Sequence, residues 1–185
     1  MVRRFLKSVW FLVRHLSVVS PYFEHGVNLK MGYFNVIGKV RVGHDVEICN
    51  FVLLKDDTSM GNSCYVDSYV LSSGSCRLGN NVIMRYRTVI ARNVIVEDHV
   101  FFTAGVKTIF LDHKRLATVT PLTIKEGCYF GDNSIIMGGI TIAPRCVIGA
   151  GAFVNKDTDA DGVYVGTPAR RLRDVTDDEL GHMRN

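Results

Sequence analysis

The sequence predicts an all-β fold, a parallel β-helix wound in triangular coils, on three observations. Apolar residues recur every six positions from Val36, through Val42, Ile48, Leu54, Met60, Val66, Ser72, Leu78, Met84, Ile90, Val96 and Phe102, with one serine among them. The residue four places later in each hexad is small or β-branched, from Val40, Val46, Val52, Thr58 and Cys64 through to Val106. Turn-formers separate these pairs, as in Gly43-His44-Asp45, Gly61-Asn62, Gly79-Asn80-Asn81 and Gly131-Asp132-Asn133. An amphipathic helix would repeat at 3.6 and a half-buried strand at 2. A period of six suits a coil of about 18 residues, with three short strands and three tight corners. The large aliphatic fills the inside of each strand, and the small residue points in near a corner, where bulk does not fit. Glycine, asparagine and aspartate tolerate the positive φ that tight corners need.

The register holds to Lys107, breaks, and resumes at Ile124, followed by Phe130, Ile136, Ile142, Ile148 and Val154. Cys128, Ser134, Ile140, Cys146, Ala152 and Thr158 take the matching small positions. Twelve hexads predict about four coils before the break, and six more predict about two after it. The expected organisation is an N-terminal amphipathic helix over 1–20, a β-helix over 21–159 with a loop insertion at 108–123, and a C-terminal extension over 160–185 with a short helical tail. A solenoid has open ends that must be covered, and the two extensions are the available caps.

Composition narrows the function classes. The chain has 185 residues, 47% hydrophobic and 22% charged, the proportions of an ordinary globular protein with a real core. A net charge of +4 with no basic run gives nucleic-acid binding no support. Five cysteines without a C-x-x-C pair argue against a zinc site and against a disulfide framework. Cys64, Cys76, Cys128 and Cys146 all fall on the small inward position and read as buried hydrophobes rather than nucleophiles. A reducing compartment, the cytoplasm, is expected.

No apolar run reaches the roughly 20 residues of a membrane span. Met1 to Val19 also lacks the continuous apolar core and cleavage site of a signal peptide. At a period of 3.6, Arg3, Arg4, Lys7, Arg14 and His15 share one face of this segment. Val2, Phe5, Leu6, Val9, Leu12, Val13, Leu16 and Val19 cover the other, with Trp10 at the edge, and Ser20-Pro21 ends the helix. Three uses fit: a cap on the open coil, packing on a neighbouring subunit, or peripheral contact with a membrane through residues 1–19. The last would hold a cytoplasmic protein at the inner face of the membrane.

A solenoid tolerates an insertion only as a loop thrown off one corner, and such loops usually belong to the binding face. Residues 108–123 form this one, and they carry Asp112-His113. Beyond them come Met137-Gly138-Gly139-Ile140-Thr141-Ile142, then Val147-Ile148-Gly149-Ala150-Gly151-Ala152-Phe153-Val154-Asn155-Lys156-Asp157, then Gly166-Thr167-Pro168-Ala169-Arg170. These stretches resemble the C-terminal half of the hexapeptide acyltransferase family, which holds maltose, galactoside, capsule and O-antigen O-acetyltransferases. Val96 to His113 is similar to the family's last coil before its loop. The resemblance covers roughly residues 36–173. It implies a left-handed β-helix, a homotrimer, acetyl-coenzyme A as acyl donor without a metal, and a sugar or glycan hydroxyl as acceptor in surface-polysaccharide synthesis.

Acyl transfer to an alcohol needs a group to take the acceptor's proton, and a histidine of ordinary basicity suits that task near neutral pH. The resemblance implies that His113 is this general base, acting without a covalent enzyme intermediate. It also implies that coenzyme A lies between two subunits, along backbone amides at Gly138, Gly139, Ala150 and Gly151, with Asn155, Lys156, Arg170 and Arg173 near the nucleotide phosphates. Arginine and lysine suit phosphate electrostatically, and one such amide would serve the oxyanion. No asparagine stands near Ile83 to Arg85, where the family keeps the histidine's orienting partner; Asp112, Tyr86 and Asn81 are substitutes. Tyr129 stands where many members have tryptophan. His44 and His99 fall on corners and read as surface turn residues. Two further readings are a non-catalytic β-helix scaffold and an N-acetyltransferase acting on an amino sugar. A γ-type carbonic anhydrase shares the fold, but its zinc-binding His-x-x-x-x-His pair is missing here.

Overall fold

The computed structural model describes residues 16–110, 120–176 and 178–179. The chain winds as a left-handed parallel β-helix whose three sheets are the faces of a triangular prism. The first face stacks eight two-residue strands, from Val18–Val19 and Val36–Ile37 through Lys107–Thr108 to Ile135–Ile136 and Phe153–Val154. The second runs from Glu24–His25 to Thr141–Ile142, and the third from Lys30–Met31 to Val147–Ile148. Each strand pairs in parallel with the strand one coil away, as Leu71 does with Leu53 and Val89. The first corner joins the first face to the second, the second corner joins the second to the third, and the third corner closes the coil.

The hexad explains the core. Ile48, Val66, Met84, Phe102, Phe130 and Ile148 form one inward column on the third face, all buried, with Phe102 stacked on Phe130 at 5.0 Å. Burying each such side chain contributes about 1.5–3 kcal/mol. The small positions, Val46, Cys64, Val82, Val100, Cys128 and Cys146 among them, are buried too. Burial pushes the Cys64 and Cys76 thiols up. The Cys128 thiol is raised first by its hydrogen bond with Cys146 and then by burial, which makes Cys146 the more acidic of that pair. All four side chains face inward, away from any reactant. The polar hexad residues are also accommodated, since the Thr58 and Ser72 hydroxyls bond each other at 2.8 Å inside the prism.

Corners are built by a left-handed residue once per hexad. At the second corner these are Asn28, Asp45, Ser63, Asn81, His99, Gly127 and Arg145. The same corner carries a hydrogen-bond ladder between coils. The His44 amide donates to Asn62 Oδ1 at 2.8 Å, the Asn62 amide to Asn80 Oδ1 at 2.8 Å, and the Asn80 amide to Asp98 Oδ1 at 2.7 Å. That last bond, foremost, holds the Asp98 carboxyl below its ordinary range. The side chain from each coil folds into the space above the glycine of the previous one, so the Gly-Asn pairs of the sequence are steric partners 18 residues apart rather than isolated turn signals.

Three expectations need correction. Val36 is 47% exposed and Ile37, 1% exposed, fills the inward position. The first corner at Gly38–Lys39 is one residue short, so Val36 aligns with Leu53 across 17 residues, where Arg41 and Ser59 align across 18. The helix expected over 1–20 lies in part outside the described residues, but Val18–Val19 is a strand paired with Val36–Ile37. The coil thus begins one turn earlier than the hexad count implies. The C-terminal extension opens as a β-hairpin of Gly162–Gly166 and Ala169–Asp174, which the hexad pattern does not predict, and residues 178–179 beyond it are helical.

A Cβ on Gly61 would sit 2.5 Å from Asn80 Oδ1 and 2.8 Å from the Gly79 carbonyl. Gly61→Ala should therefore cost about 1–3 kcal/mol by overpacking against backbone, read as a lower midpoint in urea unfolding. An unchanged midpoint would mean that the ladder yields freely.

Candidate active site

The break in the hexad is an excursion from the first corner, between Thr108 on the first face and Leu122 on the second. Lys107 aligns with Ile135 across 28 residues where regular coils use 18, so the loop adds ten residues and the prism resumes in register. His113 and Asp112 lie outside the described residues. Both stems are described: the Ile109 amide donates to the Ile136 carbonyl at 2.8 Å, and the Thr120 carbonyl lies 3.7 Å from where a Cβ on Gly139 would stand.

Gly139 is the left-handed residue of the next first-corner turn, at φ 75°. Asn155 and Lys156 occupy the same corner one coil further on, and the Asp157 carboxylate there accepts the Thr141 amide at 2.8 Å. Asn155, Lys156 and Arg170 then meet across a cleft of about 210 Å³ at the C-terminal end of the prism, with Val154, Asp157, Tyr164, Ala169 and Arg171 completing the wall. The structure thus brings Gly139, Asn155, Lys156 and Arg170 to one corner, beside the loop stems. Ala150 and Gly151 lie on the third corner, at the opposite edge of the first face, where Gly151 has open space around it.

The cations differ in what they already hold. Among the described residues, no acid pairs with Lys156 or Arg170, whose guanidinium bonds its neighbour's carbonyl, Ala169 O, at 2.8 Å. Arg173 is committed to Glu179 through two 2.8 Å bonds, and that pairing holds the Glu179 carboxyl down at about 2. Arg171, which the helical reading of the tail concealed, is tied to Asp174 at 2.7 Å and to the carbonyls of Asp159 and Ala160 at 3.2 Å. It pins the hairpin over the open end. Tyr164 does the same, its hydroxyl accepting the Asp159 amide at 2.7 Å.

Of the candidate orienting partners, Asp112 lies outside the described residues and the other two are placed on corners. Asn81 turns the second corner, and Tyr86 stands at the third. Tyr129 stacks on Phe101 at 5.3 Å on the outer third face. His99 is a left-handed corner residue, and His44 Nδ1 accepts the Val27 amide at 3.0 Å. No group of three or more histidine, cysteine or acidic side chains is placed to hold a metal among the described residues.

Residues 121–156 match the family described as "Bacterial transferase hexapeptide (six repeats)". Over these residues the chain is similar to that family. Over 98 residues it is 28% identical to galactoside O-acetyltransferase of Escherichia coli (strain K12), a match covering 52% of this chain and 48% of that protein. Over 169 residues it is 25% identical to the bifunctional protein GlmU of Thermotoga petrophila, covering 84% of this chain and 37% of that one. The chain spans about half, or less, of the length of the curated relatives it matches. Among solved structures it superimposes on AntD, an N-acyltransferase from Bacillus cereus in complex with dTDP and coenzyme A, with a TM-score of 0.62 and 17% identity over 98% of this chain and 93% of that one. LpxA, a UDP-N-acetylglucosamine acyltransferase from Bacteroides fragilis, gives 0.66 and 18% over 85% and 72%. Both share the fold with this chain.

An ion pair just ahead of the hairpin adds to the contacts that hold it. Arg145 donates from Nε and Nη2 to both oxygens of Asp161, at 2.5 and 2.8 Å, and these bonds hold the Asp161 carboxyl below its ordinary range. A depressed carboxylate stabilises the fold above its unfolded pKa of about 3.9, and that share is lost as pH falls through the folded value. Hydrogen exchange at the Val175 amide, which donates to the Asp161 carbonyl at 2.8 Å, should stay level from pH 7 to 5 after correction for intrinsic rates. It should then accelerate below pH 4. Asp161→Asn, which keeps the left-handed corner, should expose that amide already at pH 7 and flatten the acid response. Identical profiles for the two proteins would remove Asp161 from this role.

Proposed function

We propose that the protein transfers an acetyl group from acetyl-coenzyme A to a hydroxyl of a sugar or glycan, with His113 as general base. One observation carries the reading. The corner at which the described chain breaks between Phe110 and Thr120 also presents the Gly139 backbone and two cations, Lys156 and Arg170, that no acid pairs with among the described residues, at one end of a hexapeptide prism. Cations left unpaired beside a cleft suit the phosphates of a nucleotide, and a histidine on an adjacent loop suits proton removal.

The acceptor oxygen attacks the thioester carbonyl while the His113 imidazole takes its proton. The new C–O bond forms, and the carbonyl electron pair moves to an oxyanion, which a backbone amide such as that of Gly139 stabilises. The oxyanion then collapses and the C–S bond breaks. The departing sulfur receives the proton from the imidazolium, so the enzyme ends unchanged. Ala150 and Gly151 sit on the far edge of the first face from this corner, which supports a homotrimer in which two copies supply the two walls of one groove. Face residues between the corners, Ile135 and Phe153, are apolar and suit such a contact. A coenzyme A substrate supports a cytoplasmic setting.

Galactoside O-acetyltransferase and N-acetyltransferases both occur among the relatives, so the test uses both acceptor types. Purified protein with acetyl-coenzyme A and a panel of sugars and amino sugars should release free thiol with a hydroxyl acceptor. His113→Ala should lower kcat by about 10²–10⁴ with the same acceptor. Equal rates for the two proteins with every acceptor would end the assignment of His113, and acetylation of amino sugars alone would make this an N-acetyltransferase. Lys156→Ala and Arg170→Ala should each raise KM for acetyl-coenzyme A about tenfold, near 1.4 kcal/mol, with kcat little changed. Arg173→Ala should leave KM alone, because its guanidinium is already spent on Glu179.

A further inference from the structure

The first corner carries another cleft on the N-terminal side of the loop. About 350 Å³ in volume, it runs along the second-face side of that corner, from Tyr22 through Lys39, Asp57 and Ser75 to Asn93. These residues stand on successive coils, so the cleft spans four coil steps, roughly 19 Å at about 4.8 Å each. It leads toward the candidate active site. Ile95, Thr123 and Thr141 are paired in register. Asn93, Pro121 and Gly139, each two residues earlier, therefore stack on one line, with Pro121 at the end of the loop. Gly139 lies two steps beyond Asn93, roughly 10 Å. The cleft is across the corner from the first face, so the contact between copies proposed above leaves it open.

Its wall suits hydroxyl groups. Asp57, Ser75 and Asn93 are the left-handed residues of the corner and present acceptors, while Lys39 and Arg77 present donors. Among the described residues, none of these five side chains has a hydrogen-bond or ion-pair partner. Arg41 is already held by Glu24 at 3.8 Å. Donors and acceptors set side by side match a sugar, whose hydroxyls are each both donor and acceptor. Tyr22, 67% exposed, adds an amphipathic ring at the far end. A phosphate chain would meet the Asp57 and Glu24 carboxylates. A peptide strand would find no open edge, because the strands at Arg41, Ser59 and Arg77 are paired on both sides. We infer that the acceptor is an oligosaccharide, with its reacting unit at the Gly139 corner and its further units laid along Asn93, Ser75, Asp57 and Arg77 toward Tyr22. This rests on the acetyl-transfer reading above and narrows its acceptor, since a single sugar at Gly139 would leave the cleft empty. Binding of the remote units then holds the reacting hydroxyl in place.

The test uses glucose, galactose and N-acetylglucosamine, each with its β-1,4-linked oligomers of up to four units, in the thiol-release assay with acetyl-coenzyme A. In the series that is turned over, kcat/KM should rise about tenfold from monomer to tetramer, equivalent to about 1.4 kcal/mol of added binding. Arg77→Ala should cut that gain to less than about threefold. Lys30→Ala, on the third face, should keep it. Saturation-transfer NMR on the His113→Ala protein, without acetyl-coenzyme A, reads binding apart from turnover. Tetramer protons should receive saturation there and lose it when Arg77→Ala is added. Equal kcat/KM at every length would overturn the proposal, as would a gain that survives Arg77→Ala. Absence of saturation transfer to any oligomer would also sink it. Displacement of the tetramer by inorganic pyrophosphate would do the same, by making the cleft an anion site. Oligomers that bind without thiol release would uphold the cleft as a glycan site and end the acetyl-transfer reading. Thiol release with monomers alone would do the reverse.

Discussion

The whole molecule depends on turning the backbone left-handed once every six residues. A parallel sheet normally needs a long crossover to bring the next strand alongside. Here residues of positive φ at most corners redirect the chain, so that three short strands close a triangle and the next turn lands on the first. For a residue with a side chain this conformation costs about 1–2 kcal/mol. Two things offset that cost. Each coil completes its backbone hydrogen bonds on its neighbours, and each hexad sends one large and one small side chain into the core. The second-corner ladder adds a side-chain acceptor for the amides that the turn itself leaves open.

That geometry decides where chemistry can sit. The interior is filled and the faces are bounded by paired strands, so a functional insertion has only corners and ends to use. The chain uses both at once. Its ten added residues leave the first corner, and two turns later the same corner runs into the cleft closed by the terminal hairpin. Within that hairpin Arg171 is consumed by Asp174 and the Asp159 carbonyl, Tyr164 by the Asp159 amide, and Arg173 by Glu179 in the tail beyond. Among the described residues, Lys156 and Arg170 have no acidic partner. The division between structural and available cations follows from their places on alternating strand positions and on a corner, not from residue type.

The places where sequence reading slipped share a cause. Val36 fits the apolar register as well as Ile37 does, and only a corner one residue short shows which of them faces inward. The first coil, from Val18, was hidden because its strands carry Glu24, His25 and Lys30 at an open end, where burial no longer dictates apolar residues. The terminal hairpin has no hexad, and its charged run from Arg170 to Asp174 reads equally as a polar helix until Val163 is found paired with both Val147 and Arg173. In each case the local pattern was compatible with two structures, and a partner distant in sequence made the choice.

The sequence by itself determined the solenoid, its six-residue step, the inward cysteines and the site of the loop. These depend on repetition, and a repeat imposes the same local geometry wherever it occurs. The tertiary structure alone decided how many coils there are, that Gly139 shares a corner with Asn155 and Lys156 while Ala150 and Gly151 stand on another, and which arginines are free to meet a ligand. The shared corner is fixed by the stacking of coils, which brings together residues a whole turn apart in sequence, and the free arginines by the ion pairs Arg171–Asp174 and Arg173–Glu179, which form only when the end of the chain is packed.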